Sequence, residues 1–279
     1  MTNIVVGFDG TEASFVALDW AAERAVRGPT RVEIVMIAGT VLSDDFRIDA
    51  SILQAERRLR DRAPDAEVSS RCFPGRMPDS LFDHASAADL LVIGSHRARA
   101  LPAVLARRLP LRIASHSRVP VVVVPDTWSP TWGPVVVGLD DDCSSGAALD
   151  RAAGEAGAAG VPLVVVHAWE MPTPRMEGSI ALLASPIQVK AEHRKALREA
   201  VLGVTLTHPG VAIEQVLVQE TPTTALLDRK DASLLVIGTH HRGLFAGALL
   251  GSVGQDLLSQ SSVPVCVTPN VAQTEGSLT

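Results

Sequence analysis

The residues whose types and spacing carry the most chemistry are the glycines of Gly238-Thr239-His240-His241-Arg242-Gly243, continued through Gly247 to Gly251-Ser252-Val253-Gly254. The apolar run Leu234-Leu235-Val236-Ile237 precedes them and Gln255-Asp256-Leu257-Leu258 follows, so they lie between a buried strand and a helix. That arrangement suits phosphate. Glycine has no Cβ, so backbone N–H groups can approach an anion, and the first helical turn adds unpaired N–H donors and the positive end of the helix dipole. Ser252 and Gln255 have the S-x-x-Q spacing of a capping box, which predicts a helix start at Ser252.

Other candidate groups promise less. Gly238 to Gly243 imitates the start of a Walker A loop, but Leu244-Phe245 stand where Lys and Ser or Thr are required, so it is not a P-loop. His240 and His241 are adjacent and point apart in regular structure, a poor chelating pair with no declared further ligands. Asp140-Asp141-Asp142 can hold a Mg²⁺ that accompanies a nucleotide, although an acidic turn with only Asp140 engaged is the plainer explanation. His167 closes the apolar run 163–166 and reads as a strand-end residue rather than a catalyst. Neither a G-x-S-x-G elbow nor an S-x-x-K pair is present, so nucleophilic catalysis has no support and an enzyme ranks last among the readings. Arg97, Arg99, Arg107, Arg108 and Arg112 form a cationic group that either grips phosphate through guanidinium forks or is a solvated face; the second is preferred.

The elements that must position these residues follow from the apolar pattern. Strands are expected at 4–10, 32–38, 68–73, 90–94 and 119–125, with helices at 14–26, 52–62 and 79–88. Such alternation, with near-continuous apolar strands, calls for a parallel sheet covered by helices on both faces. A hydrophobic content of 47% and a mean hydropathy of +0.22 agree with doubly buried sheets. The net charge of −6 excludes a general nucleic-acid binder, and no apolar run approaches the roughly 18 residues that cross a bilayer. With no leader visible and three cysteines lacking any C-x-x-C, the expected home is the reducing cytoplasm.

The pattern then repeats. Val135-Val136-Val137-Gly138-Leu139-Asp140 follows Ile4-Val5-Val6-Gly7-Phe8-Asp9 at an offset of 138 − 7 = 131. The Leu-Leu-Val-Ile-Gly run at 234–238 follows that at 90–94, and 263–269 follows 119–125, both at 238 − 94 = 144. The chain therefore reads as a tandem duplication, with a linker at 126–134, about 13 residues gained by the second copy (mostly at 171–186), and a loose tail beyond 270.

Each half resembles a universal stress protein domain. The resemblance rests on the opening strand ending in Gly-x-Asp, the Leu-Val-Ile-Gly strand, Gly-Ser-Val before the fourth helix, and the closing Val-Pro-Val-x-Val-x-Pro strand. It implies an α/β fold of two tandem doubly wound domains, 1–127 and 133–270, each a five-stranded parallel sheet in the order 3-2-1-4-5 with nucleotide at the strands' carboxyl ends. The ATP-binding members carry G-x2-G-x9-G-S/T, which in the second repeat falls on Gly238, His241, Gly251 and Ser252, with His241 replacing a glycine. His241 then either crowds the triphosphate or contacts it. The resemblance further gives Asp140 a bond to ribose or base, sets Ala168 and Ile237 against adenine, assigns Val253 a backbone N–H, and adds Gly138 at the strand end. In the first repeat only Gly94 survives, against Arg97, Arg107 and Arg108, while Gly7 and Asp9 remain and Pro110 replaces Gly254. Two functions are therefore expected to compete. One is a stress or regulatory protein binding ATP, with or without Mg²⁺, mainly in the second repeat and with slow or no hydrolysis; the other is an interaction scaffold. The resemblance also implies a pseudo-dimer through 119–125 and 263–269, and homodimerisation by the same kind of edge.

Overall fold

A computed structural model describes residues 1–38, 45–96, 108–140, 145–171, 185–239 and 250–269. The predicted insertion at 171–186 and the tail beyond 270 fall almost wholly outside them, as do His241, Arg97 and Arg107. Two compact units emerge: Met1–Thr131 with Thr239–Thr279, and Trp132–Gly238.

In the first unit the strands are β1 (Thr2–Gly7), β2 (Thr30–Ala38), β3 (Glu67–Pro74), β4 (Leu90–Ser95), β5 (Val121–Pro125) and β10 (Val265–Thr268). They lie in the order β3-β2-β1-β4-β5-β10; the first five are parallel and β10 joins β5 antiparallel. The ladder expected between 119–125 and 263–269 is thus formed, with Val265 opposite Val123 and Val267 opposite Val121. Ile4, Val5, Val6 and all of Leu90 to Ile93 are buried, as strands covered on both faces must be. Burying one such side chain contributes about 1.5–3 kcal/mol.

Helix α1 (Glu12–Ala25) starts where the sequence changes from turn to alanine-rich: Thr11 caps it by accepting from the Ser14 N–H, and Ala17, Ala21 and Ala22 turn to the sheet. Helix α2 (Asp45–Arg62) begins seven residues before the predicted 52. It is pinned to α1 by Arg58, whose guanidinium forks onto Asp19 at 2.6 Å through both Nε and an Nη and lies over the Phe15 ring. This bond holds the Arg58 proton more firmly, raising its pKa above the ordinary arginine value, while burial opposes the shift. Helix α3 (Asp79–Ala85) and helix α4 (Arg108–His116) complete the first repeat's described helices.

The second unit contains β6 (Val135–Leu139), β7 (Leu163–Ala168), β8 (Ile213–Val218) and β9 (Leu234–Gly238), parallel in the order β9-β6-β7-β8. Its helices are α5 (Ser145–Ala159), α6 (Pro186–Thr207) and α7 (Pro222–Leu227). Corresponding strands are offset by 163 − 30 = 133 at β7 and 213 − 67 = 146 at β8, so the extra residues enter between the second and third strands of the repeat. Part of the gain is helix: α6 has 22 residues where α2 has 18. Helix α8 (Ser252–Gln260), like β10, belongs to the first unit.

Candidate functional site

In the first unit β1, β2 and β4 end around a cleft of about 140 Å³. Gly7, Asp9 and Gly94, separated by up to 87 positions (94 − 7), line it together. Val35, Ile37, Leu81, Ile93 and Ile113 form apolar walls, and Leu109 and Pro110 from the first turn of α4 line it as well. Arg108 opens α4.

Each glycine has a physical reason for being there. A Cβ on Gly94 would lie 2.3 Å from the Ala13 carbonyl oxygen and 2.9 Å from the Ser14 nitrogen, so this glycine lets α1 sit directly on β4. A Cβ on Gly7 would meet only side-chain ends, Ile93 Cγ2 at 3.1 Å and Leu81 Cδ2 at 3.2 Å. Asp9 closes an Asx turn: its Oδ1 accepts from the Thr11 N–H at 3.0 Å and from the Thr11 hydroxyl at 2.6 Å. Gly10 follows with φ of +76°, where a side chain would strain the backbone.

Most lining residues were not singled out by sequence reasoning, His96, Met77 and Leu81 among them. His96 stands two residues beyond Gly94 and turns Nδ1 toward Asp126 Oδ2 at 3.4 Å. Its position just past an apolar strand was the available signal. Met77 and Leu81 had none, because only the packing of α3 brings them to the strand ends.

In the second unit Gly138 repeats the Gly7 arrangement, with Leu226 Cδ1 at 3.0 Å from an added Cβ. The Asp140 N–H donates to Ser145 Oγ at 3.0 Å. Asp141 and Asp142, whose amides an acidic turn would engage, lie outside the described residues. Ala168 ends β7 opposite Val218, and Ile237 and Gly238 end β9, with Ile237 buried.

His167 is buried within this unit. Its Nδ1 lies 3.0 Å from the Leu139 carbonyl, which can only accept, so Nδ1–H donates there. His193 of α6 shares a hydrogen bond between its Nδ1 and His167 Nε2 at 2.9 Å and stacks on Trp169. This chain ties α6 to the end of β6, next to Asp140. His193 was invisible in the sequence because it lies 26 residues from His167 on another element.

Gly251, Ser252 and Val253 lie in the first unit, where the capping-box expectation needs correction. The helix does begin at Ser252, but Gly251 is the N-cap, and Ser252 is the first helical residue. Gln255 donates its Nε2–H to the Leu250 carbonyl at 2.8 Å, because a residue already inside the turn cannot cap it and the amide reaches back past the helix start. A Cβ on Gly254 would lie 2.5 Å from Leu250 Cγ, so this glycine makes room for the buried Leu250. Among the described residues no group of three or more His, Cys, Asp or Glu side chains is placed to hold a metal ion. No described helix is long and apolar enough to cross a membrane.

Two doubly wound α/β repeats whose first strands each end in Gly-x-Asp define a class of tandem strand-end proteins, and comparison with known proteins gives the class its family. The universal stress protein family model matches residues 1–125 and again 131–269. A universal stress protein of Mycobacterium tuberculosis is 30% identical over 287 residues, covering 95% of this chain and 95% of its own length. A second from the same organism is 27% identical over 304 residues, at 95% and 94% coverage. A universal stress protein from Archaeoglobus fulgidus DSM 4304 shares the fold with a TM-score of 0.69, at 20% identity and over 96% of this chain and 98% of that one. The chain belongs to the universal stress protein family.

Proposed function

We propose that this protein is a cytoplasmic nucleotide-binding regulator of the stress response, with repeats spanning 1–127 and 133–270 and ATP held mainly by the second. The observation that carries the reading is the start of α8. Gly251, its N-cap, has no side chain to occupy the first-turn amides, whereas Thr11 caps α1 by accepting from the Ser14 N–H. Helix-end donors left in this way suit a polyphosphate. In the second unit the strand-end residues Gly138, Asp140, Ala168, Ile237 and Gly238 are assigned to nucleotide contact on the family resemblance. Asp140 would accept a hydrogen bond from the ribose or base, and any Mg²⁺ would be carried by the phosphates of ATP. ATP binding needs no general base or arginine finger, and the role proposed is binding rather than turnover.

A scaffold without nucleotide is the second reading, favoured by the β5–β10 ladder, which joins strands from the two halves of the sequence through valines. One experiment separates the two. The purified chain is denatured and the supernatant is chromatographed for adenine nucleotide, with Mg-ATP calorimetry on the emptied protein. ATP release from the wild type but not from Gly251→Glu is expected; neither nucleotide nor heat from the wild type leaves the scaffold reading standing.

A further inference from the structure

We infer that the outer flank of α6 docks on an anionic lipid surface, lying against the headgroups rather than crossing the bilayer.

Helix α6 is buried along Leu197, Val201 and Val204 and exposes aliphatic side chains elsewhere: Ile187 is 82% exposed, Leu202 62% and Leu206 76%. At about 100° per residue these three share one arc of roughly 120° with Arg194, Lys195 and Arg198, all exposed. Glu192 and Glu199 stand just past the Leu206 side of that arc. With Lys190, the exposed charges of α6 come to 4 − 2 = +2, in a chain whose net charge is −6. Lys195 reaches Glu199 only at 3.8 Å, with both side chains mostly exposed, so that pair is weak and yields to a stronger anion.

The first repeat supplies the comparison. Helix α2 buries Ile52 and Leu59 where α6 buries Leu197 and Val204, an offset of 197 − 52 = 204 − 59 = 145. At that offset Arg57 and Asp61 stand in the places of Leu202 and Leu206, and Leu53 in that of Arg198. The equivalent helix thus carries charges at both leucine positions, so the fold does not require the leucines there.

Charge and shape choose the occupant. A second copy would bring the same cations, and three aliphatic side chains fall short of the roughly 800 Å² per partner that a stable dimer buries. The flank of a helix is convex and has no pocket for the aromatic or arginine anchors that carry protein interfaces. A bilayer needs none: Ile187, Leu202 and Leu206 enter the acyl boundary while the arginine and lysine stems extend toward anionic headgroups.

The test floats the full-length protein with vesicles of phosphatidylcholine, either alone or with about 30% phosphatidylglycerol. Binding to the anionic vesicles should exceed that to the neutral ones at least about tenfold and should be lost in about 0.5 M salt. The double variant Arg194→Gln/Arg198→Gln should weaken it more than about tenfold. Leu202→Gln/Leu206→Gln, which leaves every charge in place, should weaken it about tenfold by removing insertion alone. Both variants change exposed positions, and circular dichroism and melting confirm that a loss is not unfolding. Equal binding to neutral and anionic vesicles overturns the inference, as does anionic binding indifferent to the leucine pair. Absence of flotation also overturns it: a dimer in sedimentation that the leucine variant dissolves then makes a second copy the occupant, and a monomer leaves an acidic protein face.

Discussion

Substituting Gly94 by alanine tests whether this motif glycine serves packing or ligand approach. The added Cβ would stand 2.3 Å from the Ala13 carbonyl oxygen and 2.4 Å from its carbon. A carbon and a carbonyl oxygen tolerate roughly 3.2 Å, so α1 must withdraw from β4 by close to 1 Å. No flexible side chain can yield in its place, since every near atom is backbone. The helix is also held from behind by Asp19 and Arg58, and retreat would open space along Ala17, Ala21 and Ala22. Overpacking of this kind costs about 1–3 kcal/mol, and backbone contact puts Gly94→Ala at the upper end, about 3 kcal/mol. Gly7→Ala is the control. Its contacts of 3.1 and 3.2 Å are with side-chain ends, so a cost below about 1 kcal/mol is expected. Urea unfolding of the ligand-free protein, followed by circular dichroism, gives both values, and amide exchange should show the Gly94→Ala loss concentrated in α1. A Gly94→Ala protein within about 0.5 kcal/mol of wild type would falsify the packing argument.

Two further predictions come from ionisable groups. Burial, the largest influence, raises the Glu23 carboxyl above its ordinary 4.5, against the pull of Arg27 and Arg62. A raised folded-state pKa means that this group's contribution to stability is full below 4.5 and is lost as pH rises through the folded value. Glu23→Gln cannot ionise, so its melting temperature should exceed that of the wild type at pH 7, and the advantage should fade below pH 4.5; an equal advantage at both pH values would contradict the assignment. His167→Leu removes the donor to the Leu139 carbonyl and the hydrogen-bond partner of His193, and should cost about 1–3 kcal/mol in urea unfolding. A midpoint unchanged at constant slope would show that the imidazole chain carries no stability.

What the sequence determined by itself was the periodic part of the molecule. Strands buried on both faces are short continuous apolar runs whatever lies beside them, so β1, β4, β6 and β9 could be located from local composition, and offsets of 131 and 144 exposed the duplication. The Gly-x-Asp ends and Gly251-Ser252 were legible for the same reason: each is a local signal at a strand or helix boundary. Only tertiary structure decided what those residues touch. Gly94 has its role because Ala13, 81 positions earlier, packs against it, and Gly254 because of the Leu250 side chain. His167 finds its hydrogen-bond partners in a carbonyl on β6 and a histidine on α6. Met77, Leu81 and His96 became cleft walls only when α3 and β4 converged. The physical reason is one of range: backbone propensity and hydrophobic period act over a few neighbouring residues, whereas steric fit and hydrogen-bond pairing depend on which distant segments fold together.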